Sequence, residues 1–239
     1  MKILITGDSH TSALKLGADR LISQGGLPYG YQVDLKPIGT GGTFTAQFFL
    51  DKGDFVEMKN QRNPNLVKRL PVATEEGNYD YYGITGMLHT HRVWRYNNYW
   101  TKFTPFCTAS DLAPVSTSLL RHIVLNDQQY PLQMIDVLKR AGVKVFVIET
   151  PKPYKHHPIL EQVDKEVITY IDTFYKSVIK EWLASNGIPV VNIPANCYDA
   201  DSFMLEAFRN ENPKDSHHAN LAFGEVMIKE ILAFLKSQN

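Results

Sequence analysis

Short apolar runs alternate with helix-like segments along most of this chain. Continuous apolar runs of this length are typical of strands that are buried on both faces of a sheet. The predicted strands are Lys2–Thr6, Val33–Ile38, Tyr79–Thr85, Val143–Thr150 and Pro189–Ile193. Because strands that are separated by helices build parallel sheets, the alternation predicts an α/β sandwich around a mostly parallel, five-stranded sheet.

Three helices are predicted from apolar spacing and from the residues that mark helix ends. Pro131 is placed in the first turn of one helix, where a proline costs no hydrogen bond, and Gly142 is expected to cap its end. A second helix is expected to run from about Val163 to Gly187, and the last covers roughly residues 219–236.

The length of 239 residues suits one large domain, and no linker rich in Pro, Gly or Ser divides it. Two stretches interrupt the alternation. Residues 51–78 are polar and predict a flexible excursion, whereas residues 88–117 are dense in aromatic side chains. The second stretch predicts a packed excursion, part of which could form a lid or a substrate wall. The expectation is a single domain over residues 1–239 with two insertions.

Charge and cysteine content exclude several classes of protein. Lys plus Arg equals Asp plus Glu at 25 each, and no basic block stands out, so neither nucleic acid nor an anionic membrane surface is expected as a main partner. Cys107 and Cys197 lie far apart and are expected to be unpaired. No apolar run is long enough for a signal peptide or a membrane span, so a soluble cytoplasmic protein is expected.

A small polar turn follows the first predicted strand, and a polar cluster precedes the last helix. The turn reads GDSH from residue 7, and the cluster reads PKDSHHAN from residue 213. Asp215 lies three residues before His218, so its carboxylate can orient an imidazole that removes the proton of Ser9. Turn and helix-cap roles are the plain alternatives for Ser9 and Asp215. Their joint placement favours a Ser-His-Asp triad.

Three loops are expected to meet at one edge of the sheet, because ligands bind beyond the carboxyl ends of parallel strands. The second loop is GTGG from residue 39, and the third is GMLH from residue 86. Glycines allow backbone N–H groups to point outward, as binding of an oxyanion requires. Phe44 occupies the third glycine position of a dinucleotide fingerprint, and the P-loop lysine and the G-x-S-x-G elbow are absent.

Taken together, these separated motifs resemble the SGNH, or GDSL-type, hydrolase family over essentially the whole chain. The resemblance implies a flavodoxin-like, three-layer α/β/α sandwich, with Ser9 as nucleophile, His218 as general base and Asp215 as its orienter. It also implies an oxyanion site formed by the backbone N–H groups of Ser9 and of a glycine in the second loop, Gly42 with Gly41 beside it. No metal or organic cofactor is implied.

The third motif departs from the family pattern. The family has Gly-x-Asn-Asp after the third strand, and the asparagine amide donates to the oxyanion. Met87 or Leu88 stands in its place here, and neither side chain can donate a hydrogen bond. His89 is a candidate replacement. Because one lost donor typically costs about 10²–10³-fold in rate, a slow hydrolase, a different donor, acyl transfer and lost activity all stay open.

Other side chains are candidate substrate contacts. His10 follows the nucleophile, Arg92 and Arg95 could hold an anionic group, and Trp94 belongs to the aromatic stretch. His217 receives a lesser role, because adjacent residues cannot both face the nucleophile.

Two other functions remain as alternatives to the preferred one. A metallophosphoesterase would use Asp8 and His10 as a D-x-H opening together with His89 and His91, although its other signatures are missing. A non-catalytic binding module on the same fold is the second alternative. The preferred interpretation is a serine esterase or O-acyltransferase that acts on small oxygen esters, with acylated carbohydrate as the candidate substrate.

Overall fold

The computed structural model describes residues 1–28, 30–60, 62–72, 79–95, 99–107 and 111–238, with the backbone alone at residue 95. Its strands, numbered in chain order, are β1 (Lys2–Thr6), β2 (Gln32–Leu35), β3 (Phe49–Asp51), β4 (Val56–Met58), β5 (Arg69–Leu70), β6 (Tyr81–Ile84), β7 (Phe103–Thr104), β8 (Ala113–Pro114), β9 (Val145–Ile148) and β10 (Val190–Val191). Its α-helices are α1 (Thr11–Ser23), α2 (His91–Arg95), α3 (Thr117–Arg140), α4 (Lys165–Ser185) and α5 (Leu221–Ser237).

Five parallel strands form the central sheet in the order β2-β1-β6-β9-β10. Counted along the chain, this is the 2-1-3-4-5 order of flavodoxin-like sheets. In the register, Ile3 of β1 lies between Val33 of β2 and Tyr81 of β6. Each of the five predicted strands overlaps one of these strands, so the predicted fold class is confirmed.

Side chains that alternate along the central strands enter two separate cores. Ile3 and Ile5 point into the core that α1 and α5 cover, and Leu4 points into the core that α3 and α4 cover. In β9 the alternation repeats, with Phe146 in the first core and Val147 in the second. Apolar residues on both faces explain why these strands read as continuous apolar runs and produce the three layers.

The helix that was expected to begin near Pro131 begins at Thr117 instead. Ser116 caps it, since its side chain accepts a hydrogen bond from the backbone N–H of Leu119. Pro131 therefore lies inside α3, where it removes one backbone hydrogen bond. Buried residues on both sides of the proline hold the helix together, so tertiary packing outweighs the local preference. The predicted ends of α3 and α4 at Gly142 and Gly187 are confirmed by positive φ angles of 71° and 69°.

The expectation of a flexible excursion over residues 51–78 is wrong for the described part of that stretch. β3, β4 and β5 form an antiparallel sheet, and Val56, Met58 and Leu70 are fully or almost fully buried against α3 and its neighbours. Polar residues face solvent on this sheet, which is why the stretch is polar on average. Residues 61 and 73–78 lie outside the described residues.

The aromatic stretch over residues 88–117 packs against α3 and α4. It contains α2 and the short parallel pair β7 and β8, and both Trp94 and Trp100 are buried. Residues 96–98 and 108–110 of this stretch lie outside the described residues. Cys107 is exposed and Cys197 is buried, and both are free thiols as expected. Within the described residues, no helix is long and apolar enough to cross a membrane.

The close crossing of α1 and α5 depends on two glycines. Gly17 and Gly224 face each other, and a Cβ at position 224 would overlap the carbonyl oxygen of Ala13. Gly224→Ala is therefore expected to lower the free energy of unfolding by about 3 kcal/mol, measured by urea denaturation. If helix propensity alone acted, the same change from glycine to alanine would raise the free energy of unfolding by about 1 kcal/mol. A variant as stable as the parent would contradict the close packing of these helices.

Candidate active site

The loops after β1, β2 and β6 meet at the carboxyl edge of the sheet, as predicted. Gly86, just after β6, has a φ of 88°, and a Cβ there would lie 2.8 Å from Asp8 Cγ. Glycine at this position therefore lets the first and third loops touch. On the other side, a Cβ at Gly41 in the second loop would lie 3.3 Å from His89 Nδ1 in the third.

Ser9, His218 and Asp215 form a hydrogen-bonded chain. His218 Nε2 lies 2.7 Å from Ser9 Oγ, and His218 Nδ1 lies 2.8 Å from Asp215 Oδ2. A carboxylate only accepts, so Nδ1 carries a proton and the neutral ring has its lone pair on Nε2. The imidazole is therefore oriented to accept the proton of the Ser9 hydroxyl. Two residues 209 positions apart in sequence are brought together.

The Asp215 carboxylate is held by the backbone of its own turn. Its Oδ1 accepts hydrogen bonds from the backbone N–H groups of His217 and His218 at 3.2 and 3.0 Å. Burial raises the pKa of Asp215, but the His218 N–H and the neighbouring imidazole outweigh burial and bring this pKa below its ordinary value. Asp215 is thus ionised at neutral pH and can stabilise the imidazolium form of His218.

The helix-cap alternative for Asp215 is not what the structure shows. Asn220 caps α5 instead, since its side chain accepts from the backbone N–H of Phe223. Ser9 lies just before α1, and its carbonyl oxygen accepts from the backbone N–H of Ser12. The positive end of the α1 dipole therefore faces the region of the Ser9 hydroxyl.

Backbone donors for an oxyanion are available at two of the three loops. Among the described residues, none accepts a hydrogen bond from the backbone N–H of Ser9. Gly41 and Gly42 open a 3₁₀ turn (Gly41–Thr45) whose first internal bond runs from Thr43 to Thr40, so their own N–H groups precede that bond. The oxyanion role of Gly42 and Gly41 stays a prediction.

In the third loop, His89 lies beside the first and second loops. Met87 and Leu88 are fully buried in the core, so neither faces the site. His89 is 7% exposed, and its Nδ1 lies 3.3 Å from Asp8 Oδ2, at ion-pair distance but outside hydrogen-bond geometry. Burial lowers the pKa of His89, although Asp8 opposes this, so the ring is neutral near pH 7. Its role as an oxyanion donor stays a prediction.

Within the described residues, six of the eight histidines of the chain belong to one cluster of ring contacts. The members of this histidine cluster are His10, His89, His91, His157, His217 and His218. The His217 ring lies 4.5 Å from that of His91 and nearly parallel to it, whereas Ser9 is bonded to His218. This placement agrees with the lesser role expected for His217. The sequence offers no signal for the cluster, because its members come from four separate segments.

His10 and Asp8 lie behind the nucleophile and are almost completely buried. The His10 ring is 4.5 Å from His89 and 5.0 Å from His218, so it touches the site without being open to solvent. Burial lowers the pKa of His10 well below its ordinary value. Asp8 Oδ1 accepts from the His10 backbone N–H and from the Thr85 hydroxyl, both at 3.1 Å. Sequence analysis missed Thr85, which joins the first and third loops.

Three overlapping groups of side chains could hold a metal ion. In each group the donor atoms lie within 4.8 Å of one another; the groups are Asp8, His10 and His89; His89, His91 and His217; and Asp215, His217 and His218. Imidazole and carboxylate donors of this kind suit zinc and related divalent ions. The first group contains three of the four residues that a metallophosphoesterase would use, and His91 belongs to the second group.

Arg92 is paired within the protein, and its role as a contact for a substrate anion stays a prediction. Its Nε and Nη2 donate to Asp127 at 3.0 and 2.9 Å, and the Tyr175 hydroxyl donates to the same carboxylate. Burial lowers the pKa of Arg92, but Tyr175 and Asp127 outweigh burial and raise it above its ordinary value. Arg92 also donates from Nη1 to the Gly41 carbonyl at 3.5 Å. It therefore supports the glycine loop; the Arg95 side chain lies outside the described residues.

Trp94 is buried against the histidines of the site, and its role as a substrate contact stays a prediction. It is 2% exposed, its indole N–H donates to Thr90 Oγ1 at 3.0 Å, and its ring packs on His91 and His157. Thr90 in turn donates to buried Asp172 at 2.6 Å. Trp94 and Thr90 thus hold the third loop from behind.

Comparisons with known proteins find matches in structure but not in sequence. No family model matches the sequence, and no curated protein matches it. Solved structures match over nearly the whole chain. One is an acetyl xylan esterase, with a TM-score of 0.52, 13% identity and coverage of 98% of this chain and 100% of that chain. Another is a G-D-S-L family protein from Desulfitobacterium hafniense DCB-2, with a TM-score of 0.51, 11% identity and coverage of 97% and 98%. This chain has the SGNH-hydrolase fold.

The SGNH fold explains why motifs at the two ends of the chain meet. β1 lies in the interior of the sheet and α5 packs on its face, so the turn after β1 and the turn before α5 reach the same edge. The likeness extends to a Bacteroides fragilis structure in the acylhydrolase class, with a TM-score of 0.51, 13% identity and coverage of 99% and 87%. At this level of identity the likeness establishes the fold, and the roles of side chains rest on their geometry.

Proposed function

We propose that the protein is a serine esterase or O-acyltransferase that acts on oxygen esters, and that the whole chain works as one domain. The observation that carries this proposal is the 2.7 Å contact between His218 Nε2 and Ser9 Oγ, with Asp215 bonded to the other ring nitrogen. This pairing of nucleophile, base and orienter is what activates a serine for acyl transfer. The SGNH fold shared with an acetyl xylan esterase supports it.

The proposed reaction runs through an acyl-enzyme. Ser9 Oγ attacks the ester carbonyl carbon while its proton moves to His218 Nε2. The oxyanion that forms is bound by the backbone N–H groups of Ser9 and Gly42. His218 then gives the proton to the departing alkoxide, so an alcohol leaves and acyl-Ser9 remains. Water or an acceptor alcohol then attacks the acyl carbon while its proton moves to His218 Nε2. His218 returns this proton to Ser9 Oγ, and the acid or the new ester is released.

The alcohol part of the substrate is proposed to be a carbohydrate. The support is the structural similarity to an acetyl xylan esterase. His89 is the proposed third oxyanion donor, because it lies against Gly41 and Asp8. With two backbone donors alone, the rate would be lower by about 10²–10³-fold.

Reaction with a fluorophosphonate tests the proposal directly. This reagent forms a covalent bond with an activated serine, so intact mass spectrometry is expected to show one adduct, located on Ser9 by peptide mapping. Ser9→Ala is expected to show none. A folded protein that forms no adduct and hydrolyses no p-nitrophenyl ester would instead support a binding module on this fold.

The metal-dependent alternative is favoured by one observation, the buried group of Asp8, His10 and His89. We expect ester hydrolysis to be unchanged, within about twofold, after dialysis against a strong chelator, because the proposed steps use only side-chain and backbone groups. Hydrolysis of bis-p-nitrophenyl phosphate is the companion assay. Activity that disappears on chelation and survives Ser9→Ala would establish the metallophosphoesterase instead.

A further inference from the structure

A large cavity lies beside the proposed active site, between α3 and the aromatic stretch. Its volume is about 520 Å³, within the range of 300–1,000 Å³ typical of small-molecule sites. The wall is mainly apolar; its apolar members are Val93, Tyr99, Trp100, Phe103, Val115, Leu119 and Ile123. An acetyl group would occupy a small part of this space.

The rim of the cavity exposes large apolar side chains to solvent. Tyr99 is 53% exposed, Leu119 50% and Phe103 38%, and all three line the cavity. They make up half of the six most exposed large apolar residues among the described part of the chain. Single exposed apolar residues are ordinary, but a group around one opening marks a binding site.

Most polar groups of the cavity wall are already used within the protein. Arg92 is bonded to Asp127, and the Trp100 indole N–H donates to the Val93 carbonyl at 3.0 Å. The Thr45 hydroxyl donates to the Gly42 carbonyl at 2.9 Å. Asn126 Oδ1 accepts from Gln129. The Tyr99 hydroxyl, His122 and the Asn126 amide nitrogen are the other polar groups of the wall. Because seven of the thirteen lining residues are apolar and several polar ones are already paired, the cavity suits an aliphatic chain better than a sugar.

The cavity begins at the glycine loop. Thr45 is the last residue of the Gly41–Thr45 turn and lines the cavity, and Arg92 lines it while donating to the Gly41 carbonyl at 3.5 Å. Gly42 belongs to the same turn as Thr45, whose hydroxyl donates to the Gly42 carbonyl, so a carbonyl group whose oxygen is bound at Gly42 would lie one turn from the cavity wall. Of the two substituents of an ester carbonyl, the acyl chain stays on Ser9 through both steps, whereas the alcohol departs after the first.

We propose that this cavity binds the acyl chain of the ester and selects aliphatic chains of medium length, about eight carbons, over acetyl. The inference rests on the proposed function, since it assigns the acyl part of the same reaction. A preference of this kind comes from the apolar wall, because each methylene that leaves water strengthens binding by about fourfold (~0.8 kcal/mol).

A chain-length series with a matched pair of variants tests the inference. For p-nitrophenyl esters, kcat/KM is expected to rise at least roughly fiftyfold from acetyl to octanoyl, the gain if only about three of the six added methylenes leave water in the transition state. Leu119→Glu places a charge at the rim and is expected to lower octanoyl turnover about tenfold while acetyl turnover stays within twofold. Leu16 is also a 50% exposed helical leucine, outside this cavity, so Leu16→Glu should leave both unchanged. A flat series, or equal losses for both esters in Leu119→Glu, would overturn the inference.

A binding measurement separates this inference from the catalytic proposal. In Ser9→Ala, 8-bromooctanoate is expected to quench tryptophan fluorescence, because bromine in the cavity would lie near Trp100. Trp100→Phe in the same background should remove most of the quenching, although Trp94 and Trp182 remain. If Ser9→Ala shows no quenching while the fluorophosphonate labels Ser9 in the parent, the acyl-chain cavity is rejected and the esterase is kept. Quenching through Trp100 without labelling of Ser9 would keep an aliphatic-chain site and reject the esterase.

Discussion

Replacing Ser9 with alanine is expected to lower kcat for ester hydrolysis by about 10⁴-fold or more, the size of loss typical when a triad nucleophile is removed. The reason is that no acyl-enzyme can form once Oγ is absent, whereas the backbone donors at Ser9 and Gly42 remain. The measurement is steady-state hydrolysis of a p-nitrophenyl ester by the parent and by Ser9→Ala, at equal concentrations of folded protein.

The chain supplies a matched control for this experiment. Ser216 occupies the middle of the second Asp-Ser-His tripeptide, at 215–217, as Ser9 does in the first at 8–10. Of these two serines, Ser9 is the one hydrogen-bonded to His218. Ser216→Ala should therefore keep the activity of the parent within about threefold. Comparable activity in Ser9→Ala and the parent would remove Ser9 from the mechanism, provided that thermal melting shows both to be folded.

The second large effect is expected for His218→Ala, again about 10⁴-fold in kcat, because the serine hydroxyl then has no base. Activity of the parent should also fall on acidification, since a protonated His218 cannot accept the Ser9 proton. Asp215 stays ionised on mild acidification from neutral pH, because its pKa is held below its ordinary value. A pH profile of kcat/KM measures this fall in activity.

The neighbouring histidines provide the controls for His218. His217→Ala should lose no more than about tenfold, since its ring packs on His91 and its Nδ1 lies 3.5 Å from Asp215 Oδ1 without bonding to Ser9. His156 is largely exposed and pairs with Glu206 at 2.7 Å, so His156→Ala should have no effect. A larger loss in His217→Ala than in His218→Ala would reverse the assignment of the base.

The third loop has no asparagine side chain that faces Ser9, and the structure shows why one at position 88 would not face it either. Leu88 is fully buried, and its carbonyl accepts from the Thr150 hydroxyl at 2.6 Å, so the third loop is anchored with this side chain in the core. The loop turns His89 toward Asp8 and the glycine loop instead. An asparagine at position 88 would therefore be buried away from Ser9 and would not restore a donor.

The sequence by itself determined the five central strands and the fold class, and it predicted which three side chains would form a triad. Buried parallel strands leave continuous apolar runs, and β1, β6 and β9 were predicted for that reason. The spacing of Asp215 and His218 is a local property, because three residues of one turn are enough to join a carboxylate to an imidazole. Ser9 could be matched to them because the ends of parallel strands meet at one edge of a sheet.

Only the tertiary structure decided which of the remaining polar residues meet. The start of α3 at Thr117, the pairing of Arg92 with Asp127, the burial of Trp94 and the cavity lined by Trp100 all depend on contacts between distant segments. Side chains such as Arg92 have several feasible partners in a sequence, and the choice is made by packing, which excludes water and leaves one partner within reach. For that reason the sequence predicted only that part of the aromatic stretch could form a substrate wall, whereas the cavity itself is defined by the packing of that stretch against α3.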